Sequence, residues 1–248
     1  MIVYLAAYKS LEGHRNKPTK DIDLLSSFWE HKNGRYGDYV LQEKHILDSG
    51  AFSAINDKKG KYKNFDWDAY VDKYIAFIKK TKQKLFFELD IDCVVGLKKV
   101  EYYRKLMEDK IGIAPIICWH QNRGIDYYIK SCEDYNYVAV GTTRASPTGK
   151  KIRSNLAVLK QFIDIAHENK TKIHGLGFTS IPWLSKLKFD SVDSTAWQQV
   201  RYGGICEFKN GMIKNYRLKN YRLKNIYDAH IHNFDQWVEF QKYAKYNL

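Results

Sequence analysis

Tyr137-Val-Ala-Val-Gly141, then Asn155-Leu-Ala-Val-Leu-Lys-Gln-Phe-Ile-Asp-Ile-Ala-His-Glu168, then Lys172-Ile-His-Gly-Leu-Gly177 follow one another along the chain. The first and third are apolar runs of strand length. The second repeats its apolar residues at helical spacing. Strand, amphipathic helix, strand is the signature of a parallel strand pair joined by a helical crossover.

The same alternation extends in both directions. Apolar runs at Ile2–Ala6, His45–Asp48, Lys84–Asp90, Ile113–Cys118 and Phe189–Asp193 supply five more strands. Helical patterns cover Trp67–Thr81, Leu97–Met107 and Ile181–Leu187, the first opened by Asp66-Trp-Asp-Ala with acids near the positive end of the dipole. Seven strands are clear and an eighth is ambiguous. The expected fold class is α/β, a single (β/α)8 TIM-like barrel with a C-terminal hairpin and helix, and 248 residues suit such a barrel at about 250. An open doubly wound sheet is the alternative, but no Gly-rich phosphate loop follows the first strand.

No linker divides the chain, so residues 1–248 read as one domain. Gly13–Gly37 is polar and is expected to hold one helix, Asp21–His31. Gly203–Phe208 and Met212–Tyr216 flank Asn210-Gly211, a hairpin turn sequence. A last helix is expected over Asp235–Tyr246, with the basic segment 209–248 packed on the barrel.

A formal charge of +13, from 41 Lys and Arg against 28 Asp and Glu, favours a polyanionic partner, because phosphates neutralised by basic side chains release counterions. Asn-Tyr-Arg-Leu-Lys occurs at 215–219 and again at 220–224. Arg217, Lys219, Arg222 and Lys224, interleaved with tyrosines, suit a strand of phosphates with bases beside it. A solvated, Lys-rich surface element has the same composition. The four cysteines are scattered singly with no C-x-x-C pair, which speaks against a zinc ribbon or redox pair and for reduced thiols. The first apolar run is too short for a signal peptide and nothing approaches a membrane span, so a cytoplasmic protein without membrane contact is expected.

In a barrel the C-terminal ends of the strands share one mouth. Here those ends read Asp48-Ser-Gly-Ala-Phe52, Glu88-Leu-Asp-Ile-Asp92, Trp119-His-Gln121, Gly141-Thr-Thr143, Gly175-Leu-Gly-Phe178 and Asp193-Ser-Thr195. One polar strand end is ordinary capping, whereas six together indicate a site. Asp48 could accept from a guanine-like edge or take a ring proton, or it could simply cap the next turn. Ser49, Gly50 and Phe52 complete that end as substrate-binding candidates, Gly50 by letting backbone lie close to a flat ligand. Asp90 and Asp92, two apart, share a strand face and could read a base, or be satisfied by backbone N–H groups. Glu88 has the same parity but lies deeper. His120 could donate to a carbonyl or phosphate, His174 resembles it in setting, and Gly141 and Gly177 would leave a flat slot. Asp193 is a candidate nucleophile toward an anomeric carbon, since a carboxylate can form and release a glycosyl ester. Asp190, on the other strand face, is its rival.

These motifs resemble a known family. Asp48-Ser-Gly-Ala-Phe52 is similar to the Asp-Ser-Gly-Gly-Phe/Tyr signature of tRNA-guanine transglycosylases. Tyr137–Gly141 resembles that family's Gly-Gly-Leu-Ala-Val-Gly strand, His174-Gly-Leu-Gly177 its next strand, and Phe189-Asp-Ser-Val192 its Phe-Asp-Cys-Val. The order agrees, over residues 48 to about 197. The family's Cys-x-Cys-x-x-Cys…His zinc pattern does not follow Asp193. Ser191-Val-Asp-Ser-Thr-Ala-Trp197 is closer to the Asp-Ser-Thr-Ser-Trp of the DpdA-type DNA-guanine transglycosylases, phage and bacterial enzymes that insert 7-deazaguanines into DNA.

The resemblance implies a glycosyltransferase exchanging guanine in DNA for a base such as 7-cyano-7-deazaguanine, by double displacement through a covalent aspartyl-sugar intermediate. It implies Asp193 as nucleophile, Asp48 as proton carrier, no metal or other cofactor, and host cytoplasm as location if the gene belongs to a phage. The tRNA-enzyme pattern instead favours Asp190, and tRNA is the alternative substrate. A non-catalytic nucleic-acid binding protein would explain the charge alone. A metal-dependent barrel hydrolase is the remaining alternative, from the His-x-His of Asp228-Ala-His230-Ile-His232, which on a strand puts two imidazoles on one face.

Overall fold

Short runs such as Ile2-Val-Tyr-Leu-Ala6 and Tyr137-Val-Ala-Val-Gly141 are buried along almost their whole length, as strands covered on both faces must be. A computed structural model of the chain describes residues 1–11, 20–31, 44–57, 65–141, 147–178, 180–217 and 225–248. Eight parallel strands, β1 Ile2–Ala6, β2 Leu24–Ser27, β3 His45–Asp48, β4 Leu85–Phe86, β5 Ile117–His120, β6 Tyr137–Gly141, β7 Lys172–Gly175 and β8 Ser191–Ser194, form one curled sheet in the order β4-β3-β2-β1-β8-β7-β6-β5. This is an α/β architecture compatible with a TIM-like fold. Just outside the two end strands, one isolated parallel bridge links Phe87 to Ile116. The Glu88 N–H donates to Ile116 O at 3.0 Å and the Ile116 N–H to Phe86 O at 2.8 Å.

The helices are α1 Phe28–His31, α2 Ala51–Asp57, α3 Trp67–Thr81, α4 Asp92–Val95, α5 Leu97–Ile111, α6 Ile125–Asp134, α7 Pro147–Arg153, α8 Leu156–Glu168, α9 Ile181–Leu184 and α10 Ile226–Asn247. α3 begins as its sequence predicts, with the Asp66 side chain accepting from the Ala69 N–H. Asn155 caps α8 the same way, from Ala157 and Val158. A chain of outward residues, among them Val3, Leu5, Leu47, Val138, Val140 and Val192, packs against the helices. The alternate residues Tyr4, Ala6, Leu25, Ile46, Phe87, Cys118 and Ala139 fill the concave interior.

Three expectations are corrected. Asp21–His31 is not one helix: Leu24–Ser27 is the eighth strand, paired with Leu5–Ala6 on one side and His45–Asp48 on the other. Pairing with two neighbours outweighs the helical spacing of so short a segment. The run Lys84–Asp90 is strand only over Leu85–Phe86, because its far end turns to place Glu88 and Asp90 side chains. The last helix starts at Ile226, nine residues before the expected Asp235, with Asn225 accepting from the Asp228 N–H.

The segment after β8 runs through a 3-10 helix, Ala196–Tyr202, into β9 Gly204–Lys209 and β10 Met212–Arg217, an antiparallel pair. Trp197 is fully buried and its indole N–H donates to Ala6 O at 2.8 Å. α10 lies over β1, where the Gln241 amide donates to Val3 O and Asp23 O and accepts from the Asp23 N–H. No helix among the described residues is long and apolar enough to cross a membrane.

Candidate active site

Strand parity decides which side chains reach the mouth. Asp48 shares the interior face with Ile46, His120 with Cys118, Gly141 with Ala139, and Asp193 with Ser191. Asp48 Oδ2 accepts from the Gly50 N–H at 2.9 Å. Burial, then the charge of Asp90, and more weakly those of Asp193 and Glu30, push the Asp48 carboxyl up to about 7 against the pull of that N–H bond. Asp90 and Asp193 therefore both bear on Asp48 across the mouth although they come from separate parts of the chain.

Asp90 Oδ2 and His120 Nε2 are 3.1 Å apart, and His120 Nδ1 lies 3.1 Å from Gly141 O. Burial pulls the imidazole pKa down, but the hydrogen bond and charge of Asp90 outweigh it, so the net shift is upward. Asp193 Oδ1 accepts from the Gly177 N–H at 2.5 Å and from His174 Nε2 at 3.3 Å. Among the described residues, the hydrogen bonds to the Asp193 carboxylate go to Oδ1.

Several predicted site residues have other work. Gly50, at φ +72°, lies so close to its own chain that a Cβ would sit 2.5 Å from Ser27 Oγ and 2.6 Å from Trp29 N; its neighbour is protein, not a ligand. The space beside Gly141 holds the His120 ring, 2.5 Å from an added Cβ, so it is no empty slot. Gly177, at φ +58°, faces open space and presents its N–H to Asp193. Ser49 is fully buried; its hydroxyl accepts from the Ala51 N–H, and its carbonyl takes a bond from Tyr70 at 2.6 Å. Phe52 is exposed on α2.

Asp92 does not share the Asp90 position. It opens α4, bonded to Arg123 at 2.9 Å and to Asn122, and despite burial the Arg123 charge and bond hold its carboxyl below the usual range. Glu88 is fully buried: Oε1 accepts from Arg123 at 2.7 Å and the Cys118 N–H at 2.9 Å, and Oε2 from Arg104 at 2.8 Å. Asp190 precedes β8 at the opposite end of the strand. Its carboxylate accepts from the Ile173 N–H at 2.8 Å and lies 3.1 Å from His167 at the end of α8, away from Asp48.

Arg217 ends β10 opposite Gly204 on the exposed hairpin. Lys219, Arg222 and Lys224, like Thr142 and Thr143, lie outside the described residues. His230 and His232 are on α10, not on a strand, so two positions put them on different faces. His230 packs edge-on against Trp197 and His232 Nε2 is 3.0 Å from Cys206 O, which removes the geometric basis of the metal-hydrolase alternative.

A cavity of about 660 Å³ is at the opposite end, lined by Lys84, Ile116, Tyr137 and Lys172 at the strand starts. Strand starts in such folds serve stability more than chemistry, so the carboxylate-bearing end is the better candidate. Sequence reasoning missed Arg153, whose guanidinium reaches Gly177 O and packs 5.5 Å from the Phe178 ring, bracing the loop that holds Asp193. It also missed Arg104 and Arg123. Arginines without a motif carry no local signal, and only the fold shows which acid they meet.

Comparison with models of known families, with characterised proteins and with solved structures gave no match. The functional reading therefore rests on the residues.

Proposed function

We propose that the protein is a DNA-guanine transglycosylase on a closed (β/α)8 barrel, exchanging guanine for a 7-deazaguanine. The observation that supports this best is the meeting of Asp48, from β3, and Asp193, from β8, at one mouth, with the first carboxyl raised to about 7. A nucleophile must be ionised and a proton donor must not, so two carboxyls in unlike surroundings suit the two roles.

In the first displacement Asp193 attacks the sugar anomeric carbon, the glycosidic C–N bond breaks, and protonated Asp48 gives its proton to the departing guanine. The resulting Asp48 carboxylate then takes the ring N–H proton of the incoming base. That base displaces Asp193, the aspartyl-sugar ester breaks, and the configuration is retained. Protons balance over the cycle and Asp48 ends as it began. In this reading Asp90, paired with His120, accepts from base N–H groups. The target nucleotide must leave the stack, at a cost of a few kcal/mol that the basic surface offsets.

The decisive experiment incubates the protein with labelled guanine and duplex DNA, single-stranded DNA or tRNA, followed by denaturing electrophoresis. A covalent adduct on DNA that disappears in Asp193→Asn, while DNA binding persists, is the expected result. Adduct on tRNA alone would move the substrate to tRNA; binding without any adduct would leave a nucleic-acid binding protein.

A further inference from the structure

Three side chains, one from each of β6, β7 and β8, line up inside the curled sheet beneath Asp193. Tyr137 OH is 2.6 Å from Ser191 Oγ, Ser191 Oγ is 2.5 Å from His174 Nδ1, and His174 Nε2 is 3.3 Å from Asp193 Oδ1. His174 and Ser191 are register partners across β7 and β8. The His174 ring has no solvent exposure and is fixed by Phe87, 5.3 Å away edge-on, and by Tyr4 at 6.2 Å.

The direction of these bonds follows from donor and acceptor chemistry. An ionised carboxylate only accepts, so His174 must donate from Nε2. With one ring proton so placed, Nδ1 is an acceptor, and Ser191 must turn its hydroxyl proton toward it. The Ser191 oxygen is then free to accept from Tyr137. Every proton in the chain points toward Asp193, an order in which each bond polarises the next.

Resting on the transglycosylase reading, we propose that Tyr137, Ser191 and His174 are positioning residues that hold Asp193 through Oδ1 and so present Oδ2 to the sugar. The Gly177 N–H braces the same oxygen from the loop side. Two bonds to one oxygen fix the carboxylate plane, and a nucleophile held within a few tenths of an ångström gains rate without tighter substrate binding. Tyr137 reaches this chain from the cavity at the strand starts, so the arrangement ties the two ends of the barrel together.

The test uses the whole protein and two readouts. In ¹⁵N-histidine NMR in mildly alkaline buffer, His174 should carry its proton on Nε2, and Ser191→Ala should shift the bare Nδ1 resonance. In adduct formation, His174→Phe should lower the single-turnover rate about 100-fold with DNA affinity unchanged. His174→Gln, whose amide nitrogen can stand where Nε2 stood, should recover to within about 10-fold of the parent. A proton on Nδ1, a Phe variant as fast as the parent, or a Gln variant as slow as the Phe variant, overturns the proposal. Should the parent form no adduct on any nucleic acid, the transglycosylase reading fails with it, and the resonances alone decide whether the hydrogen-bond chain exists.

Discussion

Asp48 keeps its proton to about pH 7 because burial and the neighbouring charge of Asp90 oppose ionisation. In the unfolded chain the carboxyl ionises near 3.8. Between those values the folded protein binds one more proton than the unfolded chain, so stability falls as pH rises, and the slope ends above about 7. Asp48→Asn should remove this slope and be more stable than the parent above pH 7 by roughly 1–3 kcal/mol, after allowing for partial solvent access. Thermal melts over pH check it; parallel curves for the two proteins would show that Asp48 is not the strained charge. If the proposed transglycosylase mechanism holds, with protonated Asp48 as the acid of the first displacement, adduct formation should slow as pH rises through about 7.

At this scale the directions of Asp48, Asp193 and His120 are legible in the sequence, because position at a strand end plus period-two parity fixes the direction of a side chain, whereas Asp90 lies beyond the end of β4, where parity no longer holds. Gly50 and Gly141 are not: a glycine announces close approach without saying what approaches. Asp92 and Glu88 meet arginines that are distant in sequence, which no local pattern encodes.

The elements follow their local chemistry where helices are long and capped. α3 matches its sequence signal at both ends because Asp66 closes one end and Lys82, at φ +53°, the other. β2 escapes because four residues pairing on both sides leave no periodic signature of their own. The connection from β3 into α2 depends on Gly50, whose positive φ and contact with Trp29 exclude a side chain. Gly50→Ala should cost at least about 2 kcal/mol, combining left-handed strain with overpacking. Denaturant melts measure it, and a loss under half of that would mean α1 moves aside freely.

Across the whole molecule, β4 and β5 are the two ends of the sheet, and one isolated bridge just beyond them is the backbone link between those ends among the described residues. Beside the Phe87–Ile116 bridge, the Glu88 carboxylate takes the Cys118 N–H in place of a main-chain acceptor, with Arg104 and Arg123 neutralising it. Glu88→Gln leaves a buried guanidinium short of its counter-charge and should destabilise by about 3–5 kcal/mol. Hydrogen exchange should then show the Ile116 and Cys118 amides opening well before those of β1 and β8. Uniform loss of protection would deny this boundary any special weakness.

That ion-sealed boundary also divides the chain into two contiguous stretches, β1–β4 and β5–β8, which share the long β1–β8 contact and a side-chain latch. A polypeptide nicked just after α5 would keep the β1–β4 ladders on one piece and the β5–β8 ladders on the other, with the β1–β8 ladder and the Phe87–Ile116 bridge left to join the two. The fold is thereby suited to reassembly from two separately made fragments, with Asp193 arriving on one and Asp48 on the other.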